Sequence, residues 1–275
     1  MNNNTIIMVR SEDIRKHYIY KAISDPKNGQ VFVIDTYGEY SDLTKQFGGE
    51  VLHIRPGEEI FINPLEMRGS CNPNEDNLLW TADVMFAFFQ RIIGEKNFLT
   101  PQMKAVIYAA VKEIFQTVSN GGQFPVLIDL LSALEKYDTA EGKLLSAVIQ
   151  LFAAGQIDCF SHHTNTTRNA RLVIYDISSF SFCFYELAMD LCLCDIWNQI
   201  VQTFGSGTRT HIFVGYLDLF LQCENSAKLL HCIWRRARMH RCALTGFTLE
   251  TDTLLHTEYG KSILNNAEYI AESTM

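Results

Sequence analysis

Residues 5 to 23, TIIMVRSEDIRKHYIYKAI, run an apolar strand (Ile6, Ile7, Met8, Val9) straight into a charged helix. Such junctions hold phosphate in many α/β proteins, because unpaired backbone N–H groups and the helix dipole face the anion there. Glycine makes that chemistry work, since positive-φ turns curl successive amides into a nest. No glycine precedes Gly29 in this chain. Ser11 suits the N-cap instead, with Glu12 and Asp13 in the first turn, where each acid favours the helix by ~0.3–1 kcal/mol. Those acids put negative charge where a phosphate would bring more. Arg10, Arg15 and Lys16 could attract phosphate, or they form a solvated charged face.

Other residues of chemical interest are sparse. Arg235, Arg236 and Arg238, with Arg241, lie on and just after one helix and read either as a solvated basic face or as a binding patch. His162 and His163 sit in SHHTNT, after a helical stretch. Eight cysteines (71, 159, 183, 192, 194, 223, 232, 242) never form a CxxC pair and fall mostly in apolar segments. That pattern reads as buried reduced thiols in a cytosolic protein rather than a disulfide frame or a zinc site. Cys192 and Cys194, two apart on a helix, do not share a face. No metal site and no Ser–His–Asp or Cys–His constellation can be assembled.

The elements that must position these groups are legible from composition and pattern. The chain has 275 residues, 47% hydrophobic and 20% charged, enough for one large α/β domain or two small ones. A formal charge of −8 argues against wholesale wrapping by nucleic acid, though not against a local basic patch. No signal peptide opens it, and the most apolar stretch, 78–93, is shorter than the ~20 residues a bilayer span needs and carries Asp83, Gln90 and Arg91. Near-continuous apolar runs at 5–9, 30–35, 50–54, 171–177, 210–216 and 242–248, with a weaker one at 267–273, predict strands buried on both faces of a parallel sheet. Helical patterns at 12–24, 183–204, 223–240 and 259–266 lie between them, which points to a doubly wound sheet. Residues 74 to about 163 interrupt the alternation with three or four helices, one opening at Thr100 as N-cap with Pro101 at its first position.

At 31–67, VFVIDTYGEYSDLTKQFGGEVLHIRPGEEIFINPLEM, the sequence stops being generic. It resembles the C-terminal ATPase domain of the VirB/TraC-type motor proteins of conjugation and type IV secretion, the fourth VirB component, within the HerA/FtsK group. The resemblance rests on Asp35, Gly38, Glu39 and Tyr40, then Gly48 and Gly49, then Ile62, Asn63 and Pro64. It continues collinearly through FFQRIIGEKNFLTPQMKAVIYAAVKEIF, LVIYDISS, DIWNQI, IWRRARMHRCALTGFT and LLHTEYGKSILNNAEYI. It implies a RecA-like P-loop NTPase α/β fold with an inserted all-α subdomain, divided as 1–73 and 166–275 for the sheet domain and 74–165 for the insert. It also implies oligomeric assembly, partners in a secretion or conjugation machine, and a cytoplasmic location at the inner face of the membrane. The family's amino-terminal domain has no counterpart here, and relatives continue beyond the last strand, which makes a fragment or a stand-alone remnant the expectation.

Set against that family, the chemistry is missing. The phosphate loop falls at Val9 to Lys16, with Val9 and Ile14 in place of its glycines and Arg15 in place of its lysine. The strand that ends in Asp-Glu ends here in Gly215 and Tyr216, and Asp218 comes two residues too late for the same metal. The polar sensor of the next strand is Leu249. Gly260-Lys261-Ser262 mimics the tail of a phosphate loop, but no strand leads into it and Leu255 stands where its first glycine belongs. The Asp35–Gly38–Glu39–Tyr40 turn is kept, and a tight turn capped by an acid needs the same residues for structure alone. In the family, arginines near Arg235, Arg236 and Arg238 reach a neighbouring subunit's nucleotide.

The expectation is therefore a pseudo-ATPase with a structural or regulatory role, without cofactor, paired with an active ATPase homologue in a homo- or hetero-oligomer. Two alternatives stay open. One is an active ATPase with Mg-ATP on a phosphate site built from Arg10, Arg15 and Lys16. The other is a DNA-binding module using the 235–241 basic helix.

Overall fold

The computed structural model describes residues 4–66, 75–94, 98–116, 123–181, 184–203, 207, 209–250 and 252–271. Cys71 and Cys183 lie outside the described residues, as do parts of the NPNEDN and NGGQFP breaks. The chain folds as two compact units: Met1–His53 with Thr167–Ser179 and Thr203–Met275, and Ile54–Thr166 with Phe180–Gln202.

The first unit is built on a seven-stranded sheet of β1 (Thr5–Met8), β2 (Gln30–Asp35), β3 (Glu50–His53), β4 (Leu172–Asp176), β5 (Thr210–Val214), β6 (Cys242–Thr248) and β7 (Glu268–Ala271). The order is β3-β4-β2-β5-β6-β1-β7, and every pair is parallel. Each strand read from the apolar runs is present. Val31 to Ile34, Leu172 to Tyr175 and all seven residues of β6 are buried, as a sheet covered on both faces requires. Helices α1 (Glu12–Ser24) and α2 (Ser41–Phe47) cover one face: Ile19, Ala22, Ile23 and Leu43 pack with Ile7, Val31, Val33, Ile174, Phe213 and Phe247. Because the strands are parallel, their carboxyl ends form one edge, where open α/β sheets usually take ligands. The β1–α1 junction, the end of β2 and the end of β5 all lie there.

The second unit is helical: α3 (Glu75–Ile93), α4 (Pro101–Phe115), α5 (Leu127–Leu134), α6 (Ala140–Ala153) and α7 (Tyr185–Gln202). Thr100 caps α4 by accepting from the Met103 N–H at 3.1 Å, with Pro101 following, as the sequence predicts. Residues 187–198 of α7 are buried without a break, so this helix has no polar face and packs against α3. Inside the unit Arg91 pairs with Glu186 and, at 3.1 Å, with the deeply buried Asp190. The Ile62-Asn63-Pro64 segment belongs here too: Asn63 is buried, donates from Nδ2 to the Pro125 carbonyl at 2.9 Å and accepts the Leu65 N–H at 3.0 Å. Among the described residues no helix is long and apolar enough to cross a membrane.

Two more elements complete the sheet unit, α9 (Glu224–Ala237) and α11 (Glu258–Asn265), which pack together, with short α8 (Leu217–Phe220) and α10 (Asp252–His256) ahead of them.

Candidate functional site

The β1–α1 junction is closed by its own side chains. Val9 is buried and its N–H goes to the Thr248 carbonyl at 3.0 Å, carrying the β6 ladder one residue past β1. Ser11 is the N-cap, its hydroxyl accepting the Ile14 N–H at 3.5 Å. Glu12 and Asp13 stand in the first turn, and Glu12 holds Lys16 at 2.6 Å, while Asp42 holds it at 3.3 Å from α2. Hydrogen bonding to Glu12 is the main reason the Lys16 ammonium is raised above its ordinary value.

Arg15 turns inward rather than toward the sheet edge's solvent. Its side chain is 4% exposed, and Nη2 donates to both Glu39 oxygens at 2.7 and 2.8 Å. Nε donates to the Tyr40 hydroxyl at 3.1 Å and Nη1 to the Arg10 carbonyl at 3.0 Å. A guanidinium has five N–H donors, and these contacts occupy all three of its nitrogens. Burial alone pulls Arg15 down; the bond to Glu39 and the adjacent Tyr40 outweigh it, and the net direction is up. Burial likewise pushes the Tyr40 phenol up, with Arg15 opposing.

What presents Glu39 and Tyr40 is the turn after β2. Asp35, 1% exposed, accepts the backbone N–H groups of Tyr37 at 3.2 Å, Glu39 at 3.1 Å and Tyr40 at 2.9 Å. Gly38 has φ +72°, and a Cβ there would lie 3.2 Å from the Ser178 hydroxyl. Only glycine takes this position without strain. Burial raises the Asp35 carboxyl above its usual range; the three amides oppose and Asp176 on neighbouring β4 adds to it.

On the other side of the site, β5 runs into Gly215 and Tyr216. Tyr216 sits at φ 55°, ψ 57°, a left-handed conformation that is strained for a bulky side chain. Its ring is 4.8 Å from the ring of Tyr37, which is 59% exposed, and 5.9 Å from the Arg15 guanidinium carbon. Asp218 lies in α8 and faces the Thr248 hydroxyl at 3.2 Å. Burial raises the Asp218 carboxyl, with that hydroxyl opposing and Glu250 adding. Leu249 is half exposed just past β6.

Chemically, then, this edge offers one carboxylate–guanidinium–phenol cluster whose groups satisfy one another. The junction Val9–Lys16, the turn 35–40 and Gly215–Tyr216 are brought together. Arg235, Arg236 and Arg238 are not: they are exposed at the carboxyl end of α9 and just past it, Arg235 and Arg238 lying beside Asn4 and Glu268 at the amino ends of β1 and β7. Sequence reasoning placed Arg15 and Glu39 in the site but missed their pairing with each other, and it missed Tyr37 altogether. A tyrosine lying between two motif residues, Asp35 and Gly38, was the only signal available.

The remaining candidates resolve into structure. Gly260 is inside α11 with Thr257 as N-cap, and a Cβ on it would lie 2.3 Å from the Leu254 carbonyl. Lys261 pairs with Glu258 at 3.3 Å. The His162 ring lies tilted at 58° against that of Phe61, centroids 4.4 Å apart, and both histidines line an apolar pocket of about 750 Å³ in the helical unit. Among the described residues no three His, Cys, Asp or Glu side chains gather as a metal site.

No protein-family profile and no curated protein matches the sequence. Solved structures do. VirB4 of Thermoanaerobacter pseudethanolicus superposes with a TM-score of 0.81 at 18% identity, covering 99% of this chain and 77% of that one. The plasmid coupling protein TrwB in complex with the ATP analogue ADPNP gives 0.45 at 10% identity, covering 86% of this chain and 68% of that one. This chain therefore has the fold of that VirB4 protein, the RecA-like α/β architecture that the resemblance implied.

Proposed function

We propose that the chain is a type IV secretion or conjugation ATPase-like subunit that does not hydrolyse ATP and serves a transfer machine structurally or by regulating an active homologue. The observation that carries this reading is Arg15. It occupies the position of the phosphate-loop lysine, yet it is buried and committed to Glu39, Tyr40 and the Arg10 carbonyl. Triphosphate binding at a strand–helix junction depends on amides curled by glycine and on a cation free to meet the phosphates. Here the glycines are absent and two of the three nearby cations, Arg15 and Lys16, already have carboxylates, leaving the exposed Arg10. Magnesium chemistry needs a carboxylate at the end of a second strand, and Gly215 and Tyr216 stand there. Support for the machine itself comes from the fold shared with VirB4 over nearly the whole chain.

A Mg-ATP titration followed by thermal denaturation tests it. Ligand at 100 times its dissociation constant adds about 2.7 kcal/mol of stability. No shift and no phosphate release is the expected result. Saturable stabilisation by Mg-ATP, abolished in Arg10→Gln/Lys16→Gln, would instead establish an atypical phosphate site and end the proposal.

A further inference from the structure

Arg235 and Arg238 line a pocket of about 470 Å³ in the sheet unit, together with Asn4, Trp234, Asn265 and Asn266. Asn4 immediately precedes β1 and Glu268, also in the wall, opens β7. The pocket thus lies at the amino ends of these strands, about 13 Å of β1 away from the phosphate-loop position. It shares no residue with the site described above.

The two arginines are three residues apart, Arg235 in the last turn of α9 and Arg238 just after it, both exposed, and neither side chain forms a hydrogen bond or ion pair with a described residue. Like charges at this spacing repel unless an anion lies between them. The helix dipole favours basic residues in a last turn, but it does not account for a concave wall of amides. Arg236, in the same turn and just as exposed, is not part of that wall.

Counting the polar groups shows an excess of donors. Asn4 is used structurally, donating to the Trp234 carbonyl at 2.7 Å and accepting the Leu244 N–H at 3.1 Å. Asn266 donates to the Ser262 carbonyl at 2.7 Å. Left over are two guanidinium forks and the exposed Asn265 amide. Glu268 is the one acid of the wall and pairs with neither arginine.

We infer that this pocket binds a small phosphomonoester bearing a hydroxyl group. Two planar forks match a phosphate dianion. Glu268 accepts from the ligand's hydroxyl and disfavours a second anionic group beside it. The volume is that of small-molecule sites, whereas a nucleic-acid backbone is met on an open basic surface with many contacts. The phosphomonoester comes either as a free polyol phosphate or as the headgroup of lysophosphatidic acid, which keeps one glycerol hydroxyl.

The test is calorimetric titration of the whole chain with glycerol 3-phosphate at constant ionic strength against chloride. In a parallel arm the chain is sedimented with phosphatidylcholine vesicles containing lysophosphatidic acid and with plain phosphatidylcholine controls. Saturable binding in either arm is expected to weaken at least tenfold in Arg235→Gln/Arg238→Gln. It should stay unchanged in Arg236→Gln and in Arg10→Gln/Lys16→Gln. Binding in the first arm identifies a free ligand; binding confined to the second identifies the lipid. If the double variant fails to fold, Asn265→Ala replaces it, with a loss of at least threefold. No saturation in either arm, or binding indifferent to these substitutions, overturns the inference. So does steeply salt-dependent binding of duplex DNA that displaces glycerol 3-phosphate. Because the Mg-ATP titration probes the other edge of the sheet, either proposal can fail without the other.

Discussion

Glu39→Gln keeps the shape of a side chain and removes its charge, leaving the Arg15 guanidinium buried without a counter-ion. Both Glu39 oxygens lie within 2.8 Å of Nη2; the amide retains one acceptor and turns an NH2 group toward the cation. Removing one partner of a fully buried pair costs about 3–5 kcal/mol. Arg15 is 4% exposed but Glu39 is 17% exposed, so water reaches part of the pair and the expected loss is about 2–3 kcal/mol. Arg15→Met removes the charge from the other side and also empties the Tyr40 hydroxyl and the Arg10 carbonyl. In a double-mutant cycle the two losses should fall short of adding, by about 1–3 kcal/mol. Urea unfolding read by far-UV circular dichroism gives the totals, and amide exchange along α1 localises them to the sheet unit. A Glu39→Gln midpoint within about 0.5 kcal/mol of the parent, or strictly additive losses, would show that the cluster does not hold this edge together.

Other consequences can be measured separately. Left-handed backbone costs a non-glycine residue about 1–2 kcal/mol, so Tyr216→Gly should be about 1 kcal/mol more stable than Tyr216→Ala; equal stabilities would mean the turn is unstrained. His211 is half-buried in β5, its ring stacked on Phe213 and its Nε2 2.8 Å from the Thr245 hydroxyl, and burial, with Arg209 adding, holds it down at about 4. A lowered histidine stabilises the fold above its ordinary value of 6.5, and that contribution fades as pH falls from 6.5 toward 4, by about 3 kcal/mol in full. Asp35 and Asp218 work oppositely: their raised carboxyls stabilise the fold at low pH, and that contribution is lost as pH rises through their folded values. His211→Gln should therefore flatten the acid limb of a stability–pH curve, and an unaltered slope would contradict the assignment. Arg91→Met strands the buried Asp190 carboxylate in the helical unit; a loss of about 3–5 kcal/mol in urea is expected, and a neutral result would mean water already reaches it.

The sheet was readable because its strands are buried on both faces and so carry unbroken apolar runs such as VFVI and LVIY. α7 was harder. The 183–204 segment sits between two strands in sequence, which suggests a sheet-flanking helix, but its all-round burial belongs to the centre of a bundle, and an apolar helix carries no stripe to say what it faces. At the junction the missing glycines could be seen directly, since their absence is a matter of backbone. What replaced them could not. Arg15 meets Glu39 and Tyr40 across 24 and 25 residues of chain, and no periodicity links a helix residue to a turn after the next strand. Tyr216 at positive φ was equally hidden, because tyrosine carries no preference for that conformation and only the surrounding packing enforces it.

Charge placement separates the two edges of the sheet. The chain carries 31 acids to 23 bases, so an arginine without a carboxylate is not short of partners in composition. At the carboxyl edge two of the three cations that could have met a triphosphate are taken, Arg15 by Glu39 and Lys16 by Glu12 and Asp42, while Arg10 is exposed. At the amino edge Arg235 and Arg238 share a wall with Glu268 and still do not pair with it. An exposed pair of this kind would be worth only about 0–1 kcal/mol, because holding two long side chains together costs their entropy. Their separation makes sense if the arginines are spaced for something that enters from outside, while Arg15 is spaced for something already there. Glu268→Gln tests the difference: it should tighten phosphate binding at the amino edge severalfold by removing a like charge. Glu39→Gln, at the other edge, should free no phosphate site at all.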